Sequence, residues 1–430
     1  MKKIKVKDTD KIFVQLASYR DPQLIPTIQH AISKADNPGR LVFGICWQYD
    51  ETENPDFFGD NPQFKVRKYH YSESQGLGWA RNITNQMLED EKFTLQLDSH
   101  HRFAQGWDTM MIEDYEQAST FSKKPILSTY LTPFNIEEDN KCGCKRDATL
   151  NPTPCLMSQY EFSSDKLLMS MPWYIQDYKE RDTVIKARTL SGHFFFVKSD
   201  FIKEVPYDPD IYFGGYCEET TMSVRAWTSG YDFFSPYRQY IWHEYTRIGR
   251  PKHWEDHGTE SQTKKTSGER DIFARQKTRQ IFEQEDNGID LTEYGLGTVR
   301  TLHEYEEFGG FDFKKCRIHD YTLAVKEPPN PGPWEAGFIS QLYKLNIEWD
   351  VEFFKNLNFT KPKFLTLGIF DKNNVELLRR DFLIENEPQY LDFTVNKYYA
   401  EIKAEAKPSR ILMYLFDEEK EWSSPYEKQI

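Results

Sequence analysis

The segment FTLQLDSH at residues 93–100 gives the first indication of the fold. Its first five residues are mostly apolar and suit a buried β-strand, whereas Asp98 and His100 follow where that strand should end. Residues 79–90, just before it, have the apolar spacing of a helix. The segment therefore predicts a helix, a buried strand and a polar strand end in succession.

The same order recurs towards the N-terminus. Residues 12–18 (IFVQLAS) and 41–48 (LVFGICWQ) are typical of buried strands, and residues 22–35 have helical spacing between them. Residues 64–71 alternate like a further strand. Repeated strand–helix units with apolar strands predict an α/β fold whose central sheet is mostly parallel and covered on both faces.

Further elements follow along the chain. We predict a helix around residues 107–115, strands near 126–132, 192–198 and 238–245, a helix over 218–229, a loop over 136–160 and a mobile lid over 246–270.

The C-terminal part has a different character. Residues 328–333 (PPNPGP) are typical of a linker. Beyond them, short alternating segments at 364–370, 391–395 and 411–416 predict a small all-β module. The expected organisation is a catalytic domain at 1–327, the linker, and a β-rich accessory domain at 334–430.

Composition excludes several classes of protein. The 430 residues carry a net charge of −13, which argues against non-specific binding to nucleic acid. No apolar run approaches the roughly 20 residues of a membrane span, and the basic N-terminus lacks the apolar core of a signal peptide. The six cysteines are too scattered for a disulfide framework. These features predict a cytoplasmic protein without a membrane span.

Asp98 and His100 are candidate metal ligands. Alternation along an extended chain points both side chains the same way. A carboxylate with an imidazole forms half of a site for Mn²⁺, or for Mg²⁺ with less preference. The structural alternative is an ordinary turn in which Asp98 caps the next helix.

Longer stretches resemble a known family. Over residues 12 to about 310 the chain resembles the glycosyltransferases that transfer N-acetylglucosamine (GlcNAc) to hydroxyproline in a cytoplasmic protein, and their bacterial relatives. More distantly it is similar to the mucin-type polypeptide GalNAc-transferases, which have a GT-A fold, use Mn²⁺ and retain the anomeric configuration. The matching stretches include FVQLASYRDPQLIPTI (13–28), GLGWARN (76–82), TLQLDSHHRFAQGWD (94–108), EVPYDPDIYFGGYCEETTMSVRAWTSGYD (204–232), WHEYTR (242–247) and RPKHWEDH (250–257).

The resemblance implies a complete metal site. Asp98 and His100 would be metal ligands at the catalytic centre, His243 would supply a third ligand, and the donor diphosphate would complete the shell. Spacing alone favours a different role for His243, as a strand residue packed beside Trp242.

The resemblance also implies the nucleotide pocket. Ala17, Tyr19 and Arg20 would line it, and Arg81 would meet the diphosphate, because guanidinium and helix dipole both favour anions. Without the motif, Arg81 is equally compatible with a solvated helix position.

The remaining implied residues concern the donor sugar. Glu218 and Glu219 would hold sugar hydroxyls, and Gly214 and Gly215 would let the backbone approach the ligand. The alternative is two acids that complement a helix N-terminus. Trp254 would stack on a sugar or an acceptor, or anchor its loop.

The expected activity is metal-dependent transfer of a sugar, GlcNAc from UDP-GlcNAc, with retention of configuration, to a hydroxyl of a protein or a glycan. A non-catalytic binding module on a degenerate transferase fold and a nucleotide-sugar hydrolase are the alternatives. Cys142, Cys144 and Cys155 leave open a zinc site or reduced thiols.

Overall fold

A computed structural model describes residues 10–136, 150–212, 216–246, 250–258, 265–338, 341–383, 385–390, 392, 394–404 and 406–430. The chain divides into two compact units, Met1–Pro331 and Gly332–Ile430. Within the described residues, no helix is both long and apolar enough to cross a bilayer.

The first unit contains fourteen strands in its described part. They are β1 (Ile12–Tyr19), β2 (Leu41–Tyr49), β3 (Phe64–His70), β4 (Phe93–Leu97), β5 (His101–Phe103), β6 (Pro125–Ser128), β7 (Cys155–Phe162), β8 (Leu168–Tyr174), β9 (Ile185–Ala187), β10 (Phe194–Lys198), β11 (Asp232–Ser235), β12 (Ile241–His243), β13 (Phe311–Asp312) and β14 (Arg317–Ile318).

Its helices, again within the described residues, are α1 (Leu24–Lys34), α2 (Leu77–Asn85), α3 (Trp107–Ala118), α4 (Asp200–Glu204), α5 (Tyr216–Thr228), α6 (His253–Asp256), α7 (Ser267–Ile281), α8 (Leu302–Gly309) and α9 (Asp320–Leu323).

Eight of these strands form the central sheet, in the order β3-β2-β1-β4-β10-β6-β11-β9. The pairs β3–β2, β2–β1, β1–β4 and β6–β11 are parallel, and the other three are antiparallel. Phe13, Leu16, Phe43 and Leu95 on these strands are buried, as expected for a sheet covered on both faces. The predicted α/β class with a mostly parallel sheet is confirmed.

One short strand pairing outside the sheet matters for the site. Strand β5 follows Asp98 directly and pairs antiparallel with β12, with His101 opposite His243. The backbone N–H of Glu244 donates to the carbonyl of His100 at 3.1 Å. A segment some 140 residues downstream is thereby fixed beside the end of β4.

Some predicted boundaries were wrong. The strand predicted at 238–245 is only Ile241–His243, and the helix predicted at 79–90 runs from Leu77 to Asn85. The predicted loop at 136–160 contains most of β7, which forms a hairpin with β8. This strand is stabilised by its pairing with β8, and the polar local sequence gave no sign of it. The rest of that loop, residues 137–149, lies outside the described residues.

The second unit is β-rich. Its described residues include β15 (Gln341–Glu348), β16 (Pro362–Asp371), β17 (Glu376–Leu383), β18 (Lys397–Ala404), β19 (Pro408–Asp417), β20 (Glu421–Trp422), β21 (Tyr426–Gln429) and the short α-helix α10 (Val351–Lys355). The predicted strands at 364–370 and 411–416 lie within β16 and β19. Of the one predicted at 391–395, residues 391 and 393 lie outside the described residues. The strand described next to it is β18, whose residues pair with β15.

Helix α2 is held close to the neighbouring chain segment at Gly78. The Gly78 N–H donates to the carbonyl of Ile211 at 3.2 Å. A Cβ at this position would lie 2.3 Å from that oxygen and 2.5 Å from the carbonyl oxygen of Asp208. Since both are backbone atoms, no side-chain rotation relieves the overlap.

We therefore expect Gly78→Ala to lower the free energy of unfolding by about 1–3 kcal/mol, the usual cost of overpacking. Urea denaturation followed by circular dichroism measures this. Gly39→Ala is the matched control, because its nearest neighbour would be a side-chain oxygen at 3.5 Å. Equal stability of the two variants would contradict the prediction.

Candidate active site

Three predicted ligands meet at one point. Oδ2 of Asp98 lies 3.3 Å from Nε2 of His243 and 3.7 Å from Nε2 of His100. One ligand atom from each residue lies within 4.8 Å of the other two. Asp98 and His100 lie at the end of β4, and the pairing of β5 with β12 brings in His243. The arrangement could hold one ion.

The other oxygen of Asp98 is held by a buried arginine. Nη2 of Arg81 donates to Oδ1 of Asp98 at 2.6 Å, and Nη1 donates to the hydroxyl of Tyr207 at 2.9 Å and contacts Oε1 of Glu218. Arg81 is 1% exposed. Its charge is therefore compensated inside the protein, and Oδ2 of Asp98 remains directed at the two imidazoles.

This network determines the ionisation of two ligands. Burial would raise the pKa of Asp98, but the hydrogen bond with His243 and the charge of Arg81 lower it well below its ordinary value. Burial lowers the pKa of His243 well below that of a free histidine. The site thus contains a carboxylate and a neutral imidazole, which are the forms that bind a metal.

Glu219 lies in a separate hydrogen-bonded pocket. The Tyr130 hydroxyl donates to its Oε2 at 2.6 Å, and the Gly192 N–H donates to its Oε1 at 3.1 Å. Burial nevertheless raises the pKa of Glu219 to about 7. A Cβ at Gly192 would lie 2.5 Å from an oxygen of the Glu218 carboxylate, so glycine at this position leaves room for that side chain where it lies.

The segment Ser191–His193 was not predicted to be part of the site. The ring of His193 stacks on that of His243 with centroids 4.5 Å apart. Its Nε2 accepts from the N–H of Leu131, so Nδ1 carries the proton and donates to the Ser191 hydroxyl. Both nitrogens are thus engaged within the protein. Strand β10 runs antiparallel to β4, so its beginning, rather than its end, reaches the site.

Several predicted site residues line one cleft of about 760 Å³, part of it open to solvent. They are Ala17, Tyr19, Asp98, His100 and Trp254. Arg20 lies at its edge, where it donates to Asp50 and Asp256 at 2.9 Å each. The Tyr19 hydroxyl also donates to Asp256, at 2.6 Å. Side chains from α6 therefore contact the end of β1 directly.

The other predicted residues do not line this cleft or are not described. Gly214 and Gly215 lie outside the described residues, as do Cys142 and Cys144. Cys155 is buried, with its sulfur 3.6 Å from the Thr132 hydroxyl. The predicted lid at 246–270 is described at 250–258, where it contains α6, and from 265 onwards, where α7 begins at Ser267.

Comparison with known proteins decides the family. The family model described as "Glycosyltransferase (GlcNAc)" matches residues 11–60 and 56–315, which is well over half of the chain. The chain belongs to this GlcNAc glycosyltransferase family. It is therefore a glycosyltransferase, and the predicted enzyme class is confirmed. No curated protein sequence shows significant similarity to it.

Solved structures similar to this glycosyltransferase include GalNAc-T7 with UDP, GalNAc and Mn²⁺, at 15% identity and a TM-score of 0.43 over 73% of this chain. Another is S. aureus TarS 1-349 in complex with UDP-GlcNAc, at 15% identity and a TM-score of 0.33 over 56% of this chain. The transferase spans 56% and 60% of the lengths of these two chains.

The ligand cluster of the transferase fits a divalent cation. Adjacent ligands around an ion with bonds of about 2.1 Å stand about 3 Å apart, close to the 3.3 and 3.7 Å found here. One carboxylate and two imidazoles suit Mn²⁺ better than Mg²⁺. Among the described residues, the other cluster with such geometry is Glu89, Asp90 and Glu91, which has no imidazole.

The raised pKa of Glu219 makes stability depend on pH. An unfolded glutamate ionises near pH 4.5, whereas the folded one does so at about 7. The stabilisation by this group is complete below pH 4.5 and is lost as the pH rises to about 7. Glu219→Gln removes the titration.

We therefore expect the stability of wild type relative to Glu219→Gln to fall by up to about 3 kcal/mol between pH 4.5 and 7. Urea denaturation at a series of pH values measures it. Glu89→Gln, at an exposed carboxylate, is the control. A difference between wild type and Glu219→Gln that is independent of pH would refute this assignment.

Proposed function

We propose that this glycosyltransferase transfers GlcNAc from UDP-GlcNAc, with a divalent cation, to a hydroxyl of a protein or a glycan. The observation that carries the proposal is the convergence of Asp98, His100 and His243 beside the cleft. Oδ2 of Asp98 and the imidazoles would hold Mn²⁺ or Mg²⁺ at this point. The bound cation would neutralise the charge that develops on the departing diphosphate.

The cleft residues would bind the donor. Ala17, Tyr19 and Arg20 would contact the nucleotide. Arg250 and Lys252 line the same cleft, and their N–H groups would donate to the diphosphate. Arg81 contacts the carboxylates of Asp98 and Glu218. We propose that it also contacts the donor diphosphate, as the family resemblance implies. The Trp254 ring offers an apolar surface that excludes water from the donor.

The acids on α5 would hold the sugar. Glu218 and Glu219 project towards Gly192. Glu218 is ordered by Tyr207 and Arg81. Carboxylates oriented in this way accept hydrogen bonds from sugar hydroxyls. Gly214 and Gly215 lie outside the described residues and stay in the proposal only through the family resemblance.

We also propose retention of configuration, on the resemblance alone. The acceptor oxygen would then form its bond to the anomeric carbon on the face from which the diphosphate leaves. The bond from that carbon to the diphosphate oxygen breaks, and a phosphate oxygen takes the acceptor's proton. No protein nucleophile is needed. Hydroxyproline, serine or threonine as acceptor, and a cytoplasmic location, rest on the same resemblance.

Loss of the cation site should remove activity without removing the fold. We expect Asp98→Asn to lower transfer at least about 100-fold, because a bound cation supplies several kcal/mol of charge stabilisation. Asp90→Asn is the matched control, since Asp90 belongs to the other acidic cluster. The assay presents protein and Mn²⁺ with UDP-GlcNAc, UDP-GalNAc, UDP-glucose and UDP-galactose, and measures UDP release and Mn²⁺ affinity.

The alternatives give different results. UDP release that is unaffected by any acceptor would favour the hydrolase, and no release with any donor would favour the binding module. Wild-type transfer by Asp98→Asn, or transfer that survives chelation, would overturn the metal assignment.

A further inference from the structure

We propose that Asp21 is a positioning residue that keeps His100 in the tautomer able to bind a metal. The inference rests on the proposed role of His100 as a ligand. Asp21 follows β1 and Asp98 follows β4, its parallel neighbour, so both lie at the same edge of the sheet. The sequence pattern does not show that Asp21 contacts His100. The structure places the Asp21 carboxylate against the imidazole nitrogen that faces away from Asp98.

The contact is short and buried. Oδ2 of Asp21 lies 2.7 Å from Nδ1 of His100, and the Ser99 hydroxyl donates to the same oxygen at 2.7 Å. Oδ1 accepts from the Gln23 N–H at 2.9 Å, which fixes the carboxylate plane at the start of α1. Asp21 is 4% exposed. A carboxylate held in this way is a permanent acceptor beside Nδ1.

A second group competes for the same nitrogen. Nη1 of Arg250 contacts Nδ1 of His100 and lies 3.0 Å from Oδ2 of Asp21, while Nη2 contacts Glu244. An arginine only donates hydrogen bonds, and a carboxylate only accepts them. Nδ1 of a neutral imidazole can therefore satisfy Asp21 or Arg250, but never both at once.

The two choices have opposite consequences at Nε2. If Nδ1–H donates to Asp21, Nε2 keeps a free lone pair directed at the site beside Asp98. If Nδ1 accepts from Arg250, the proton is on Nε2, and Nε2 then has no lone pair with which to bind a metal. Asp21 selects the first state and also accepts from Arg250 itself. Without Asp21, the Arg250 donor would favour the second.

Removing the Asp21 carboxylate should weaken metal binding more than it changes any other property of the protein. We expect Asp21→Ala to lower Mn²⁺ affinity about 10–100-fold, the usual effect of losing such a hydrogen bond to a ligand histidine. Asp21→Asn keeps one acceptor oxygen and should fall between Asp21→Ala and wild type. Isothermal titration calorimetry with Mn²⁺ alone measures the affinity of both variants. Electron paramagnetic resonance gives an independent measure of the concentration of free Mn²⁺.

Two further measurements separate positioning from loss of structure. Asp114→Ala removes another buried carboxylate paired with an arginine, Arg238, and should lower stability without changing Mn²⁺ affinity. In transfer assays, excess Mn²⁺ should restore kcat of Asp21→Ala, whereas the Mn²⁺ concentration for half activation rises.

The outcomes are distinct. Mn²⁺ affinity of Asp21→Ala equal to wild type, or reduced no more than in Asp114→Ala, overturns this inference. If Asp98→Asn still loses Mn²⁺ binding in that case, the proposed function stands without it. If wild type itself binds no Mn²⁺, the proposed metal site fails first.

Discussion

The buried charge of Arg81 is the constraint on which the site depends. A guanidinium that is 1% exposed must be compensated where it lies, because an unpaired buried charge costs about 3–5 kcal/mol. Asp98 and Glu218 compensate it from β4's end and from α5. The same contacts fix which oxygen of Asp98 faces the imidazoles, so the requirement of burial also orients the candidate ligand.

A second arginine repeats this arrangement on the opposite side of the ligands. Arg250 lies between the carboxylates of Asp21 and Glu244, which balance its charge. Asp21 also contacts Nδ1 of His100, and Glu244 is the residue that follows His243 in the sequence.

Aromatic side chains surround one of the candidate ligands, His243. The rings of His193 and Tyr245 pack on that of His243, with centroids 4.5 and 4.2 Å away, and the Tyr130 ring stacks on His193 at 5.2 Å. These rings bury His243 and exclude water from one side of the cluster, which lowers the pKa of its imidazole. Packing and ionisation at this point therefore have a single cause.

The sequence by itself determined the parallel strands, their buried residues and the polar residues at their ends, because hydrophobic periodicity is local and Asp98 and His100 are two residues apart. The family resemblance added His243. Only the tertiary structure decided that β12 pairs with β5, that the first residues of β10 lie at the site, that Asp21 contacts His100, and that Tyr130 and His193 belong to the site. Those contacts join segments that are tens to more than a hundred residues apart, and antiparallel pairing reverses the rule that strand ends carry the site, so no local spacing records them.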